Sequence, residues 1–462
     1  MANVEKYDDL TIGSGIAGKF TAWTRDSRRR MAIVERGLFG GACPNVACLP
    51  SKNMIWSAKV ISLAQRGIEF GLKTDSLSVH MAAIQRRKRT MVRELRKAHE
   101  DHTEASGAEL IYGIARFVAP RTVEIELRNG GTRTIQGDRV FLDLGSRAAI
   151  PQVPGLTEAT PMTHVEALEL DRLPRHLIVL GGGYVGLELS QAFRRFGANV
   201  TVIEHGPQLA SREDPDVGAA LKDLFVDEGI EVVVDARTRR VEGHSGDRVR
   251  VYVNDSRGDR AIEGTDLLVA TGRNANSDGI GLDKTGVQLD ERGYIKTNER
   301  LETTAESIWA MGDCAGSPQF THVGLDDYNV VHANLNGGNR SNRNRLIPFC
   351  MFTDPELARV GKNEVEARRD GMEYRMVKLP MAEVLRTRTI SEPRGFMKAL
   401  VAKDSDEILG FTAFGFEASE LMVAMQTAML GHLPYTVLRD AILTHPTMSE
   451  GLSQLLANIP VR

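Results

Sequence analysis

Cysteine is scarce in this chain, with four residues in 462. So few do not make the disulfide framework of a secreted protein, and a cytoplasmic setting is expected, where a disulfide is more often catalytic than structural. No apolar run approaches the ~18 residues of a membrane span, and the amino-terminal stretch MANVEKYDDL lacks the apolar core of a signal peptide. An excess of charge is missing too. The 58 Lys and Arg against 61 Asp and Glu leave −3 at pH 7, which gives no reason to expect nucleic acid or an anionic membrane as a partner. The 11 histidines show no ligand spacing with cysteine or carboxylate, so no metal site is expected. What remains is an ordinary globular composition, 42% hydrophobic and 26% charged, long enough for about two to four domains.

Two of the four cysteines fall in one stretch, Gly40-Gly41-Ala42-Cys43-Pro44-Asn45-Val46-Ala47-Cys48-Leu49-Pro50-Ser51-Lys52. At about 1.5 Å per residue, cysteines five apart sit roughly 7.5 Å apart along a regular helix, beyond the roughly 4.4 to 6.8 Å Cα separation of a disulfide. A bond between them therefore needs an irregular turn, and Pro44 and Pro50 are expected to interrupt regular helix here. Spacing alone leaves redox pair and inert thiols equally open.

The flanking pattern is that of a nucleotide site. A buried strand from Tyr7 to Ile12 runs into Gly13-Ser14-Gly15-Ile16-Ala17-Gly18, an amphipathic helix follows through Trp23, and Met31 to Glu35 is the next strand. Glu35 lies 22 residues after Gly13, the spacing at which an acid accepts hydrogen bonds from a ribose hydroxyl. Gly13, Gly15 and Gly18 supply a tight turn, close approach of a pyrophosphate and close helix packing over a helix N-terminus that favours anions. The same unit recurs from His176. There Gly181, Gly183 and Gly186 form the turn, and Glu204 follows Gly181 by 23 residues, so two dinucleotides are expected. An acid at position 204 favours a free 2′-hydroxyl and thus NADH, and Arg212 keeps NADPH open.

Between and beyond these units, residues 51–65 and 79–104 read as helices. The second is rich in Arg and Lys (Arg86, Arg87, Lys88, Arg89, Arg93, Arg96, Lys97) and reads as a solvated face, because acids interleave. Short alternating strands fill residues 108–141, with Asn129-Gly130-Gly131 as a hairpin. Pro151 to Pro154 marks a boundary. Residues 266–270 with Thr271-Gly272-Arg273, and 307–310 with Met311-Gly312-Asp313, read as strand ends. A polar, basic stretch after Asn336 leads to a last domain with strands at 398–401 and 408–414 and helices at 417–430 and 435–442. Cys314 and Cys350 read as buried apolar thiols, and Met422, Met425, Met429 and Met448 as packing residues.

With Ala270-Thr271-Gly272-Arg273, Met311-Gly312-Asp313 and His445-Pro446-Thr447 plus Glu450, these motifs occur in the order of a known family. Over essentially its whole length the chain resembles the flavoprotein disulfide reductases, or class I pyridine nucleotide-disulfide oxidoreductases. The stretches 308–313, 325–328 and 433–440 look most like the bacterial reactive-chlorine-resistance branch, which reduces hypothiocyanous acid, with mercuric reductase the next closest look. The resemblance implies an α/β fold of two Rossmann-like dinucleotide-binding domains plus a C-terminal α+β dimerisation domain. Its segments are 1–150 for FAD, 151–272 for NAD(P)H, 273–340 for the second part of the FAD domain and 341–462 for dimerisation. It implies FAD in the first unit, NADH or NADPH in the second, and a redox-active Cys43–Cys48 disulfide with Cys48 facing the flavin and Cys43 facing substrate. It also implies a homodimer in which each site borrows His445 and Glu450 from the other subunit, His445 as base and Glu450 fixing its tautomer. Lys52 would pair with Glu188 beside the flavin, Asp313 would hold the ribityl chain, Ala115 would offer backbone contacts to adenine, and His322 would lie near the pyrimidine end of the flavin.

The chain departs from the family at four places. Leu142-Asp143-Leu144-Gly145-Ser146 stands where Ala-Thr-Gly-Ser is usual, and Pro44 follows the first cysteine. The chain ends Ala457-Asn458-Ile459-Pro460-Val461-Arg462 without the cysteine pair of mercuric reductases, and His445 stands where those carry tyrosine. The expected function is an FAD-dependent NAD(P)H oxidoreductase acting on a small disulfide or oxidised-sulfur electrophile, hypothiocyanous acid-like. Lipoamide dehydrogenase, a mercuric reductase-like enzyme and a flavin-binding interaction protein with an inert dithiol are the alternatives.

Overall fold

The computed structural model describes residues 4–73 and 76–461. The first three residues of the amino-terminal stretch, residues 74–75 and the final Arg462 lie outside the described residues.

The first sheet is organised around the strand Val4–Ile12, which pairs in parallel with Met31–Glu35 on one side and Thr132–Leu142 on the other. All five residues of Met31–Glu35 are buried, as a strand covered on both faces requires. Glu109–Ala119 continues the parallel set beyond it, and Ile308–Ala310 returns from far along the chain to pair in parallel with Val140–Leu142. The long strands Glu109–Ala119 and Thr132–Leu142 also pair antiparallel with Thr122–Leu127. The expected hairpin closes that last pairing, with Gly130 and Gly131 at φ +89° and +84°.

The second sheet is wholly parallel, in the order Asp266–Val269, His176–Leu180, Asn199–Ile203, Glu231–Val233. An antiparallel layer of Arg237–His244, Arg248–Asp255 and Gly258–Gly264 packs on it through Val241, Val249, Val251 and Ile262 against Ile178 and Ile203. Each fully buried aliphatic of such a core contributes about 1.5–3 kcal/mol relative to exposure. A two-stranded ribbon, Ser146–Ala148 with Arg273–Ala275, joins the two units.

The third sheet is five-stranded and antiparallel, in the order Phe349–Met351, Glu356–Gly361, Ile408–Gly415, Phe396–Ala402, Tyr374–Pro380. The helices Ala418–Leu430 and Glu450–Ala457 cover it, burying Met422, Met425 and Met448. Its buried Lys398 pairs with Asp214 at 2.6 Å and with Glu364 at 3.0 Å, tying this sheet to the second unit. Loss of one partner of such a pair costs about 3–5 kcal/mol.

Two expectations need correction. The helix expected over 435–442 ends at Arg439, whose carbonyl accepts the Ser453 hydroxyl at 2.6 Å. Within the helix Met81–Ala105, Lys88 is not part of a solvated face. It is buried, and its ammonium is held by the Leu168 carbonyl and the Glu169 carboxylate. Among the described residues no helix is long and apolar enough to cross a membrane.

Candidate active site

Gly40 and Gly41, at φ +100° and +76°, turn the chain out of the first sheet into a short helix, Ala42–Val46. A second helix, Cys48–Gln65, begins at once, three residues earlier than the sequence suggested. The break between them lies at Ala47 (φ −134°, ψ −103°) and not at either proline. Pro44 and Pro50 both occupy first turns, where a missing N–H leaves no intrahelical bond unmade. The Asn45 side chain fixes the turn by donating to the carbonyls of Phe39 at 2.8 Å and Gly41 at 2.9 Å.

Cys43 and Cys48 are half-buried free thiols, brought together by that break. Cys48 is held below the ordinary thiol value, chiefly by a hydrogen bond from the Cys43 thiol, with help from Thr321 and the Lys52 ammonium against the effect of burial. The same hydrogen bond and burial push Cys43 up. The two titrate as one pair whose first negative charge sits on Cys48. Thr321 Oγ1 lies 3.5 Å from Cys48 Sγ. Cys314 is fully buried and donates to the Met311 carbonyl, while Cys350 is only half-buried.

Lys52 stands one helical turn beyond Cys48. Its ammonium donates to Glu188 Oε2 at 2.7 Å and lies 4.7 Å from the Phe352 ring centroid. Glu188 is buried, and its other oxygen accepts the Phe352 N–H at 2.8 Å. One carboxylate thus joins the cysteine helix, the helix Tyr184–Phe196 after the second glycine turn, and the third sheet.

The two glycine turns share their geometry. A Cβ on Gly13 would lie 2.1 Å from the Asp143 carbonyl, and one on Gly181 would lie 2.4 Å from that of Ala270. A Cβ on Gly18 would meet Gly13 O at 2.2 Å, and one on Gly186 would meet Gly181 O at 2.1 Å. Glu35 accepts the N–H groups of Ser14 at 3.0 Å and Gly37 at 2.6 Å, as Glu204 accepts those of Gly182 at 2.6 Å and Gly206 at 2.7 Å. Gly15 and Gly183 are the N-caps of their helices, and neither helix takes a side-chain cap. Amides without a side-chain cap at glycine-lined helix starts suit a dinucleotide pyrophosphate at each turn. The first turn also reaches the cysteines, because the Ser14 hydroxyl donates to Glu35 and accepts the Gly40 N–H at 2.8 Å.

Asp143, the departure at the strand end, is buried and accepts the Gly18 N–H at 2.7 Å. Burial pushes its carboxyl up to about 7. Asp313 accepts the Ser146 hydroxyl and lies 3.7 Å from Arg273. Ala115 pairs with Ile125 within the first sheet. His322 donates through Nε2 to the Pro348 carbonyl at 3.0 Å and stacks on Phe320. Gly272, at φ +125°, has no atom near its absent Cβ. The Arg212 side chain is exposed. His445 Nδ1 and Glu450 Oε2 are 2.9 Å apart, the imidazole 64% exposed and Glu450 Oε1 buried without a partner. Within one chain, no hydrogen bond or ion pair among the described residues joins His445 to either cysteine.

Sequence reasoning missed Thr321 and Lys19. The Thr321 hydroxyl carried no motif. Lys19 did carry a signal, as the one charged residue in the short apolar helix Ile16–Trp23, directly after Gly18.

The model of the family described as pyridine nucleotide-disulphide oxidoreductase matches residues 7–327, and that of its dimerisation domain matches residues 347–456. A probable pyridine nucleotide-disulfide oxidoreductase RclA of Escherichia coli K12 is 34% identical over 462 residues, covering 98% of this chain and 99% of its own length. A mercuric reductase of Streptomyces lividans is 33% identical over 453 residues, covering 96% and 94%. Among solved structures, the HOCl-induced flavoprotein disulfide reductase RclA from Escherichia coli is similar with a TM-score of 0.88 at 31% identity, covering 98% of this chain and 100% of the other.

Proposed function

Because the chain belongs to the pyridine nucleotide-disulphide oxidoreductase family, whose disulfide reductases depend on FAD and NAD(P)H, we propose that it passes electrons from NADH through Cys43 and Cys48 to a small disulfide or oxidised-sulfur electrophile such as hypothiocyanous acid. The observation that carries this reading is the cysteine pair itself, two free thiols on either side of the helix break at Ala47 with the Lys52–Glu188 ion pair one turn beyond Cys48.

On this reading residues 1–150 and 273–340 serve FAD, 151–272 serve NADH and 341–462 make the dimer. Gly13, Gly15, Gly18, Glu35, Ala115, Asp313 and His322 hold FAD, and Gly181, Gly183, Gly186, Glu204 and Gly272 hold the nicotinamide nucleotide. The Glu204 carboxylate favours NADH by accepting from a ribose hydroxyl with lone pairs left over from Gly182 and Gly206. When bound, FAD supplies the two-electron relay between NADH and the cysteine pair.

The protein's own groups then do three things. Lys52, fixed by Glu188, stabilises negative charge on Cys48. Cys43, once deprotonated, attacks the electrophilic sulfur of the substrate: with hypothiocyanous acid, a Cys43 S–SCN bond forms and hydroxide leaves. The Cys48 thiolate next attacks the Cys43 sulfur, closing the disulfide and expelling thiocyanate. His445 of a second subunit, its ring oriented by Glu450, holds the proton that Cys43 gives up and returns it to the leaving group.

The test is spectroscopic. NADH-reduced protein with FAD bound should show a long-wavelength thiolate-to-flavin absorbance that Cys48→Ser abolishes, and oxidant should then restore the oxidised spectrum. Fastest reoxidation by hypothiocyanous acid or a small disulfide supports the reading. Faster reoxidation by Hg(II) would move the protein to the mercuric reductase side, and turnover of dihydrolipoamide with NAD+ to lipoamide dehydrogenase. A cysteine pair that NADH does not reduce would leave a flavin-binding protein with an inert dithiol.

A further inference from the structure

Each sulfur of the pair feels the charge of a lysine, and only Lys52 is accounted for above. The other is Lys19, on the helix Ile16–Trp23 that starts at the first glycine turn, and it is 4% exposed. Its Nζ lies 3.5 Å from Nδ1 of His99, on the helix Met81–Ala105, and 5.4 Å from the Trp23 ring centroid. Trp23 is fixed in turn by its Nε1–H bond to Thr103 at 2.8 Å and by ring contact with His99. His99 stands directly behind the cysteine segment, since a Cβ on Gly40 would lie 3.0 Å from its Nδ1 and 3.0 Å from Cγ of Pro44. Burial holds the Lys19 ammonium below the ordinary lysine value, and the charges of Cys43 and Asp143 act against that. Those that face Cys43 are Lys19 and Cys48, with the Thr321 hydroxyl as a hydrogen-bond partner.

We propose that Lys19 is a positioning cation for Cys43, held by His99 behind the Gly40–Pro44 turn so that its ammonium stabilises the Cys43 thiolate as Lys52 stabilises that of Cys48. A buried ammonium needs an acceptor and a counter-charge. His99 provides the first. Burial, and the charge of Lys19, hold the imidazole at about 4, so it is neutral at physiological pH and its Nδ1 is free to accept. The counter-charge is Cys43 whenever it ionises, joined by Asp143 only as pH rises through about 7 and its carboxyl gives up its proton. The arrangement matters because Cys43 is otherwise a poor thiolate: burial and the bond it donates to Cys48 both keep its proton on. In catalysis that bond is absent whenever Cys48 is engaged elsewhere, and Lys19 is then the buried positive charge on the Cys43 side. The catalytic consequence rests on Cys43 being the exchange thiol, but the effect on its ionisation does not.

The experiment uses FAD-loaded protein carrying Cys48→Ser, which isolates Cys43, and follows iodoacetamide alkylation of Cys43 by mass over about pH 6 to 10. Adding Lys19→Met should raise the midpoint of the pH profile by about one unit, making alkylation near neutrality about tenfold slower. Lys19→Arg, which keeps the charge, should return most of that shift. Superimposed profiles for Lys19→Met and its parent would overturn the proposal, as would a shift that Lys19→Arg fails to reverse. Should Lys19→Met fail to retain FAD, His99→Leu reads the same contact. It removes the acceptor and leaves the lysine, and an unshifted midpoint there overturns the proposal equally. None of these readings depends on which oxidant the enzyme reduces.

Discussion

The two glycine turns are built alike and finished differently. Both hold their first and third glycines so close to a backbone carbonyl that a methyl group would not fit, and both use a glutamate at the end of the next strand to collect two backbone N–H groups. They part at the middle glycine. Gly15 is hemmed in, because a Cβ there would lie 2.5 Å from the Asp143 carboxylate, and Gly41 presses on it from the cysteine segment. Gly183 has nothing within 4 Å of its missing Cβ. Where the first unit ends its strand on Asp143, the second ends on Ala270, whose methyl merely touches the space beside Gly186 at 3.4 Å. An enclosed turn wired to the cysteine segment suits a nucleotide that stays, and an open one suits a nucleotide that comes and goes.

Gly13→Ala should break the enclosed turn with the largest effect. Gly13 is at φ +94°, and its new methyl would meet the Asp143 carbonyl at 2.1 Å. Strain and overlap together cost more than about 3 kcal/mol, so the purified variant should contain little or no FAD by absorbance. Normal FAD content would show that the first turn is less rigid than its contacts imply.

How much of this was legible beforehand follows from what kind of signal each residue gives. The glycines, Glu35 and Glu204 sit at fixed spacings because turn geometry admits few residues, so sequence displays them directly. The strands beside the two glycine turns, Met31–Glu35, His176–Leu180 and Asn199–Ile203, are short runs of mostly buried residues and were equally plain, whereas Glu231–Val233, three residues long, gave no readable run. Lys88 was not, and Lys19 showed only as the one charge in an apolar helix. A lysine reads as surface until its partners, Glu169 and His99, are brought from distant segments, and no local pattern carries those contacts. The Ala47 break escapes the sequence for a related reason. Each proline sits where a helix begins and tolerates it, and the irregular residue is an alanine with no signature of its own. Asp143 stood out as a departure, yet only the fold shows that it takes the Gly18 amide.

Asp143 also gives the comparison a pH dependence, with an intermediate effect. Its buried carboxyl holds its proton up to about 7, against 3.8 for the free group. The folded form therefore binds a proton that the unfolded chain has released between those values, so this residue's contribution to stability is complete below about pH 4 and is lost as pH rises through about 7. The gap corresponds to on the order of 4 kcal/mol. Asp143→Asn keeps an oxygen for the Gly18 N–H and removes the titration. Relative to the parent, its Tm should climb steadily from pH 5 to pH 8, and a constant Tm difference would mean that Asp143 is ionised throughout.

Gly183→Ala should have the smallest effect and draws the sharpest line between the two turns. Gly183 has φ −86°, a backbone any residue adopts, and its Cβ would enter empty space. The substitution should leave FAD content and Tm unchanged, the reverse of Gly13→Ala. What it fills is the gap through which a pyrophosphate would approach the N-terminus of the helix Tyr184–Phe196. The KM for NADH should therefore rise about tenfold, the equivalent of about 1.4 kcal/mol, while reoxidation of reduced protein by its electrophile keeps its rate, because on the proposed function that half of the cycle does not use the second glycine turn. A fall in reoxidation rate matching the loss of NADH affinity would show that the open turn communicates with the cysteines, and that the division between a nucleotide that stays and one that exchanges is not drawn at the middle glycine.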